Sequence, residues 1–132
     1  MTPKPTFQDA EIMLRLSELH ASLGLFDAMR FIWSDEFPVE FSEYRQKFPK
    51  GSRSQEDGLV RRVLGWFEII GTLWRNGLLN EDLVFDWLAV AHVWDRLKGV
   101  ALGMRQEIGE PRMYENFEAL AERSRSWRPS RS

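Results

Sequence analysis

Five polar side chains interrupt otherwise apolar helical runs: Glu68, Asp86, His92, Arg105 and Glu118. Gathered around one cavity, they would form a polar pocket for a small ligand, with carboxylates for proton transfer and a guanidinium for an anionic group. A catalytic carboxylate would also need a cleft, a shifted pKa and a second group within reach. Left apart, the same residues are structural ion pairs, which fix helix register without adding much net stability. That second reading is preferred.

Other chemistries find less support. His20 and His92 are the only histidines, and Ser17 and Ala89 stand where the Glu-x-x-His pairs of a helical metal site need glutamate. His92 and Asp95, three apart on one helix, would supply two ligands, and Glu68 or Glu118 would have to complete the set. No metal and no other cofactor is expected. The absence of cysteine closes the routes to disulfides, thiolate nucleophiles and sulfur-ligated zinc. The chain has no Gly-x-Ser-x-Gly elbow, and Lys50-Gly51-Ser52 lacks the preceding glycine and strand of a phosphate loop. An enzyme is therefore the less favoured class.

The elements that carry these residues are read from periodicity. With 132 residues, 43% of them apolar and 29% charged, the chain is long enough and apolar enough for one self-sufficient core. Thr6 and Asp9 form a capping-box pattern ahead of Ile12, Leu16 and Leu19, which predicts a first helix to about Ser22. Gly24 breaks it. Leu25, Met29 and Ile32, with Phe26 and Trp33 adjoining, predict a second helix ended by Pro38. Phe41, Tyr44 and Phe48 predict a short third, followed by a loop at Pro49–Ser52.

Ser54, three residues before Asp57, is read as the N-cap of a helix over about 55–76. That helix is apolar around much of its circumference, as a central helix is. Gly65 and Gly71 inside it each cost about 1 kcal/mol relative to alanine, so a closely approaching backbone is expected at both. Gly77 suits its C-terminus. Asn80 caps a long helix over about 81–107, where Leu83, Trp87, Val90, Trp94, Leu97, Ala101 and Met104 keep helical steps and Gly99 is a point of division. Pro111 is placed as the first residue of a last helix whose apolar side is Met113, Phe117, Leu120 and Ala121.

No segment alternates as a strand between hairpin turns. The expectation is an all-α compact bundle of five to six helices around the 55–76 and 81–107 helices. The domain is taken as 1–122. Residues 123–132, with Arg123, Arg125, Arg128 and Arg131 among serines, read as a flexible basic tail.

Charge and apolar surface bear on partners. Without its four tail arginines the chain falls from a formal charge of −2 to −6, so a broad nucleic-acid-binding face is not indicated. The apolar runs are too short for the ~20 residues of a bilayer span, the start does not read as a signal peptide, and a cytoplasmic location is expected. Trp66, Trp74, Trp87 and Trp94 fall in the apolar patterns as core or interface aromatics, and Trp33 is a further core candidate. Two largely apolar helices offer more surface than one small chain covers. A protein partner or homo-oligomer, such as a homodimer, is therefore favoured over catalysis.

One resemblance adds to this. The run Val63-Leu64-Gly65-Trp66-Phe67-Glu68-Ile69-Ile70-Gly71-Thr72-Leu73, the Asn76-Gly77-Leu78-Leu79 turn, Trp94 with Leu97, Arg105, and Tyr114-Glu115-Asn116-Phe117-Glu118-Ala119-Leu120-Ala121 together resemble an uncharacterised bacterial family, the domain of unknown function numbered 4760. The likeness runs from about the second helix to Arg123. It implies a helical domain with no established reaction, cofactor or partner. Some similar proteins carry an N-terminal membrane anchor; this sequence departs from that arrangement, so no membrane role is expected of it.

Overall fold

Thr6 and Asp9 form the predicted reciprocal cap. The Thr6 hydroxyl accepts from the Asp9 amide at 3.1 Å, while the Asp9 carboxylate accepts from the Thr6 amide at 2.8 Å. They open α1 (Phe7–Ser22) in a computed structural model that describes residues 3–129. Arg131 of the predicted tail lies outside the described residues. Six further helices follow: α2 (Leu25–Ile32), α3 (Phe41–Lys47), α4 (Gln55–Arg75), α5 (Glu81–Trp87), α6 (Val90–Ile108) and α7 (Glu115–Ser126). Among the described residues there is no strand, and no helix is long and apolar enough to cross a membrane.

The all-α reading holds, with α4 at the centre. Val60, Val63, Leu64, Trp66, Phe67, Ile70 and Gly71 bury one side of α4, which packs against α2 and α7. Ser54 caps it by accepting from the Asp57 amide at 3.0 Å, and Asn80 caps α5 by accepting from the Leu83 amide at 3.1 Å. Gly24 supplies the left-handed turn, φ +70°, that separates α1 from α2.

The helix expected over 81–107 is two helices. Leu88 is extended, at φ −119° and ψ +137°, and the chain restarts as α6 at Val90. The break turns Val84 and Phe85 of α5 and Val90, Val93 and Trp94 of α6 into one core. Periodicity hides it, because Leu83, Trp87, Val90 and Trp94 keep three- and four-residue steps across the junction. Gly99 does not divide α6. A Cβ there would sit 2.3 Å from the Val39 carbonyl oxygen, and one at Gly103 would sit 2.1 Å from the Phe41 ring. These two glycines let the segment entering α3 cross close over α6.

Other expectations shift as well. Helix α2 ends at Ile32, short of Pro38, because the Arg96 guanidinium takes the Ile32 and Ser34 carbonyls at 2.7 and 2.8 Å. Pro111 lies in a turn, and α7 starts four residues later. Its N-cap Tyr114 has φ +60°, rare for a residue with a side chain.

Nor does the helical chain stop at Glu122. Helix α7 continues to Ser126, with Arg123 holding Glu81 at 2.8 and 3.0 Å and Arg125 holding Asp95. Arg125 also draws the Asp95 carboxyl below its usual pKa. Trp127 then donates its Nε1–H to Asp82 at 2.8 Å and lies against Phe85. The serine–arginine run disguised these partners because they come from α5 and α6, some thirty to forty-five residues away.

Candidate functional site

Three of the five polar residues singled out in the sequence meet around the first turn of α7. Tyr114 gives that helix no side-chain cap. Glu68 provides it from α4 instead: its Oε1 accepts from the Asn116 and Phe117 amides at 3.0 and 2.9 Å. A carboxylate at these donors satisfies two otherwise unpaired amides and sits at the positive end of the helix dipole. Asn116 is fixed from both sides, donating to Thr72 at 3.1 Å and accepting from Arg75 at 2.9 Å. The polar stripe of α4 is thus the seat of α7.

Arg105 adds a second clamp from α6. Its Nε donates to the Met113 carbonyl at 2.9 Å and its Nη1 to Glu118 at 3.1 Å, leaving Nη2 buried without a hydrogen-bond partner. The same stripe of α4 begins with a buried pair that sequence reading did not single out. Tyr44 of α3, fully buried, donates its hydroxyl to Asp57, whose other oxygen accepts from Arg61 at 3.3 Å. Burial, and then the bond to Asp57, push the Tyr44 hydroxyl far above its ordinary pKa. It stays a phenol and a donor. The only sequence signal was indirect: a tyrosine in a core stripe must find a partner for its hydroxyl, but nothing local says which.

The remaining two polar residues are elsewhere. Asp86 lies on the exposed side of α5. His92, exposed, lines a groove of about 490 Å³ with Asp95, Arg125 and Trp127, beside the last turn of α7. Glu68 is at the first turn of that twelve-residue helix, roughly 18 Å away at 1.5 Å per residue. Among the described residues, no three histidine, aspartate or glutamate side chains gather as a metal site.

The aromatic residues divide too. Trp66 and Trp94 are buried, Trp74 and Trp87 only partly so, and Trp33 is 52% exposed rather than in the core. Phe26, seven residues before Trp33, is 71% exposed. With Arg30 between them, they lie on the exposed side of α2, opposite buried Leu25, Ala28 and Ile32, where Phe26 still touches α1 through His20. Helix α6 and the junction before it run beside this face. Phe26 shares a small pocket with Leu88, and Arg96 lies over the Trp33 ring at 5.8 Å. Exposed Ala89 and His92 lie between Leu88 and Arg96 along the chain.

Under Phe26 lies His20, whose ring is edge-on to Phe26 at 4.7 Å and to Trp66 at 5.0 Å. Burial lowers its pKa below 6.5. As pH falls, the unfolded chain therefore takes up this proton before the folded one does, and folding weakens. Stability is full above 6.5 and falls as pH drops toward the folded value. The melting temperature should decline from about pH 7.5 to about pH 5.5, above the carboxylate range, and His20→Gln should flatten that slope. An unchanged slope in the variant would assign the loss to other groups.

The geometry can be set beside other proteins. The model of the family described as Domain of unknown function (DUF4760) matches residues 5–124. The chain belongs to that family. The matched DUF4760 region runs from α1 through all but the last two residues of α7 and includes both Phe26 and Trp33. No curated protein and no solved structure matches the chain significantly.

Proposed function

We propose that this DUF4760 domain is a non-catalytic protein-interaction module whose binding face is the outer side of α2 with the start of α6. The carrying observation is the pair of aromatic side chains, Phe26 in the first turn of α2 and Trp33 at its C-cap, 71% and 52% exposed on a helix whose opposite side is core. Large aromatic residues left in water are costly to a monomer and are the side chains that anchor protein interfaces. Beside them lie Arg30 and Arg96, which suit a polar rim.

The alternative, a ligand pocket around Glu68, Asp86, His92 and Arg105, finds less support. Glu68 and Arg105 are engaged in holding α7, while His92 lies beside the far end of that helix.

The test is a double substitution, Phe26→Asp with Trp33→Asp. Because both side chains are more than half exposed, the variant should stay folded, its unfolding free energy lowered by no more than about 3 kcal/mol, the upper end of ordinary single changes. Cross-linking and affinity capture from the native cell should recover protein bound to the wild type and not to the variant. Equal recovery by the two would remove the face from the interface. A steady turnover of substrate that depends on Glu68 or Arg105 would overturn the non-catalytic reading.

A further inference from the structure

We infer that the occupant of this face is a second copy of the chain, seated with α2 antiparallel to the partner's α2 about a twofold axis passing between Met29 and Arg30. The inference rests on the interaction reading above and names its partner.

The argument is one of self-complementarity. In a twofold interface each contact occurs twice, with residue i meeting j and j meeting i. Laid antiparallel about that axis, Phe26 faces the partner's Trp33, and Trp33 faces the partner's Phe26. Both exposed rings are covered in one arrangement, with a large flat indole set against a phenyl ring in each half. A heterologous docking would cover each ring only if the partner supplied two matching aromatic or aliphatic sites at the same spacing, about 10 Å along the helix.

Charge follows the same symmetry. Asp27 and Arg30 are paired within the helix at 3.4 Å, but their side chains are 70% and 82% exposed, so the pair is free to exchange partners. Across the axis, Arg30 is offset from the partner's Asp27 by two residues, about 3 Å along the helix, which places the partner's carboxylate within reach of the guanidinium. The two arginines brought together near the axis are therefore flanked by two aspartates, and these four charges cancel.

Area sets the strength. At their observed exposures the two rings offer together about 250 Å² per protomer, roughly a third of the ~800 Å² that a standard interface buries on each side. Arg30 and Leu88 add the remainder only in part. The dimer is accordingly weak, in the micromolar range, and forms and separates with concentration.

Sedimentation velocity of the purified full chain across a concentration series tests this without any other protein present. The wild type should pass from monomer to dimer between low and high micromolar concentration. Arg30→Asp sets four carboxylates around the axis and should weaken association at least about tenfold. Adding Asp27→Arg to it restores two of each charge and should return the affinity to within about threefold of the wild type. A wild type that stays monomeric throughout would overturn the self-association, as would an Arg30→Asp variant that dimerises normally or a double reversal that rescues nothing. If the purified chain is monomeric while capture of a different protein from the cell still depends on Phe26 and Trp33, only the identity of the partner falls. If neither depends on them, the interaction reading falls with it.

Discussion

Trp66→Ala should lower the unfolding free energy by about 3–5 kcal/mol, as truncation of a buried large aromatic does. Trp66 is 1% exposed and makes edge contacts with His20, Phe67 and Trp87 at ring distances of 5.0, 5.0 and 5.8 Å. Its Nε1–H also donates to the Leu16 carbonyl at 3.0 Å, which pins α1 to the central helix. The substitution therefore removes apolar contact, one hydrogen bond and the wedge that spaces α1 from α4. Against a total of about 5–15 kcal/mol for an ordinary domain, this is a large share. Urea unfolding followed by circular dichroism reads it directly. Trp66→Phe keeps a ring and loses the hydrogen bond, so it should cost distinctly less than the alanine change. Trp87→Ala, at a half-buried site, should also cost less. A loss below about 1 kcal/mol for Trp66→Ala would mean that α1 is not held by this residue.

The contrast between Trp66 and Trp87 shows where the sequence was legible. Both sit in apolar patterns with helical spacing, and spacing reports only that a residue shares a helix face with other apolar ones. It does not report what covers that face. For α4 the distinction was smaller, because most of its apolar residues are covered by neighbouring helices, although Ile69 is 43% exposed. For α2 it was decisive: Leu25, Ala28 and Ile32 are buried, while Phe26 and Trp33, one position along, face water. Caps were readable because they are local, as at Thr6, Ser54 and Asn80. The junctions were not. Glu68 capping α7 across forty-eight residues, Tyr44 bonded to Asp57 from another helix, and Arg123 reaching Glu81 are all decided by tertiary placement. The five polar residues were correctly seen as out of place in apolar runs. Their grouping was lost because α7 carries its first turn to Glu68 and Arg105 and its last turn toward His92.

The α4–α7 junction makes the second large expectation, in which one substitution gives opposite signs at two positions of a single helix. Exchanging glycine for alanine inside a helix gains about 1 kcal/mol from backbone propensity alone. At Gly65 a new Cβ meets nothing within 4 Å, so Gly65→Ala should stabilise the protein by up to about 1 kcal/mol. At Gly71 the new Cβ would lie 2.4 Å from the Asn116 carbonyl oxygen and 2.5 Å from its carbon, both backbone atoms that no rotamer change can move. Relief requires α7 to retreat by about 1 Å. The Glu68 bonds to the Asn116 and Phe117 amides, now 3.0 and 2.9 Å, would then exceed hydrogen-bonding length. Overpacking costs about 1–3 kcal/mol, and releasing a charged acceptor from its donors costs about 1.5–3 kcal/mol more. Set against the propensity gain, Gly71→Ala should lose about 2–4 kcal/mol in urea unfolding. Amide exchange at Asn116 and Phe117 should speed up in that variant, while Gly65→Ala leaves it unchanged. Matching stabilisation in the two variants would show that α7 does not rest on Gly71, and Glu68 would lose its place as the cap of that helix.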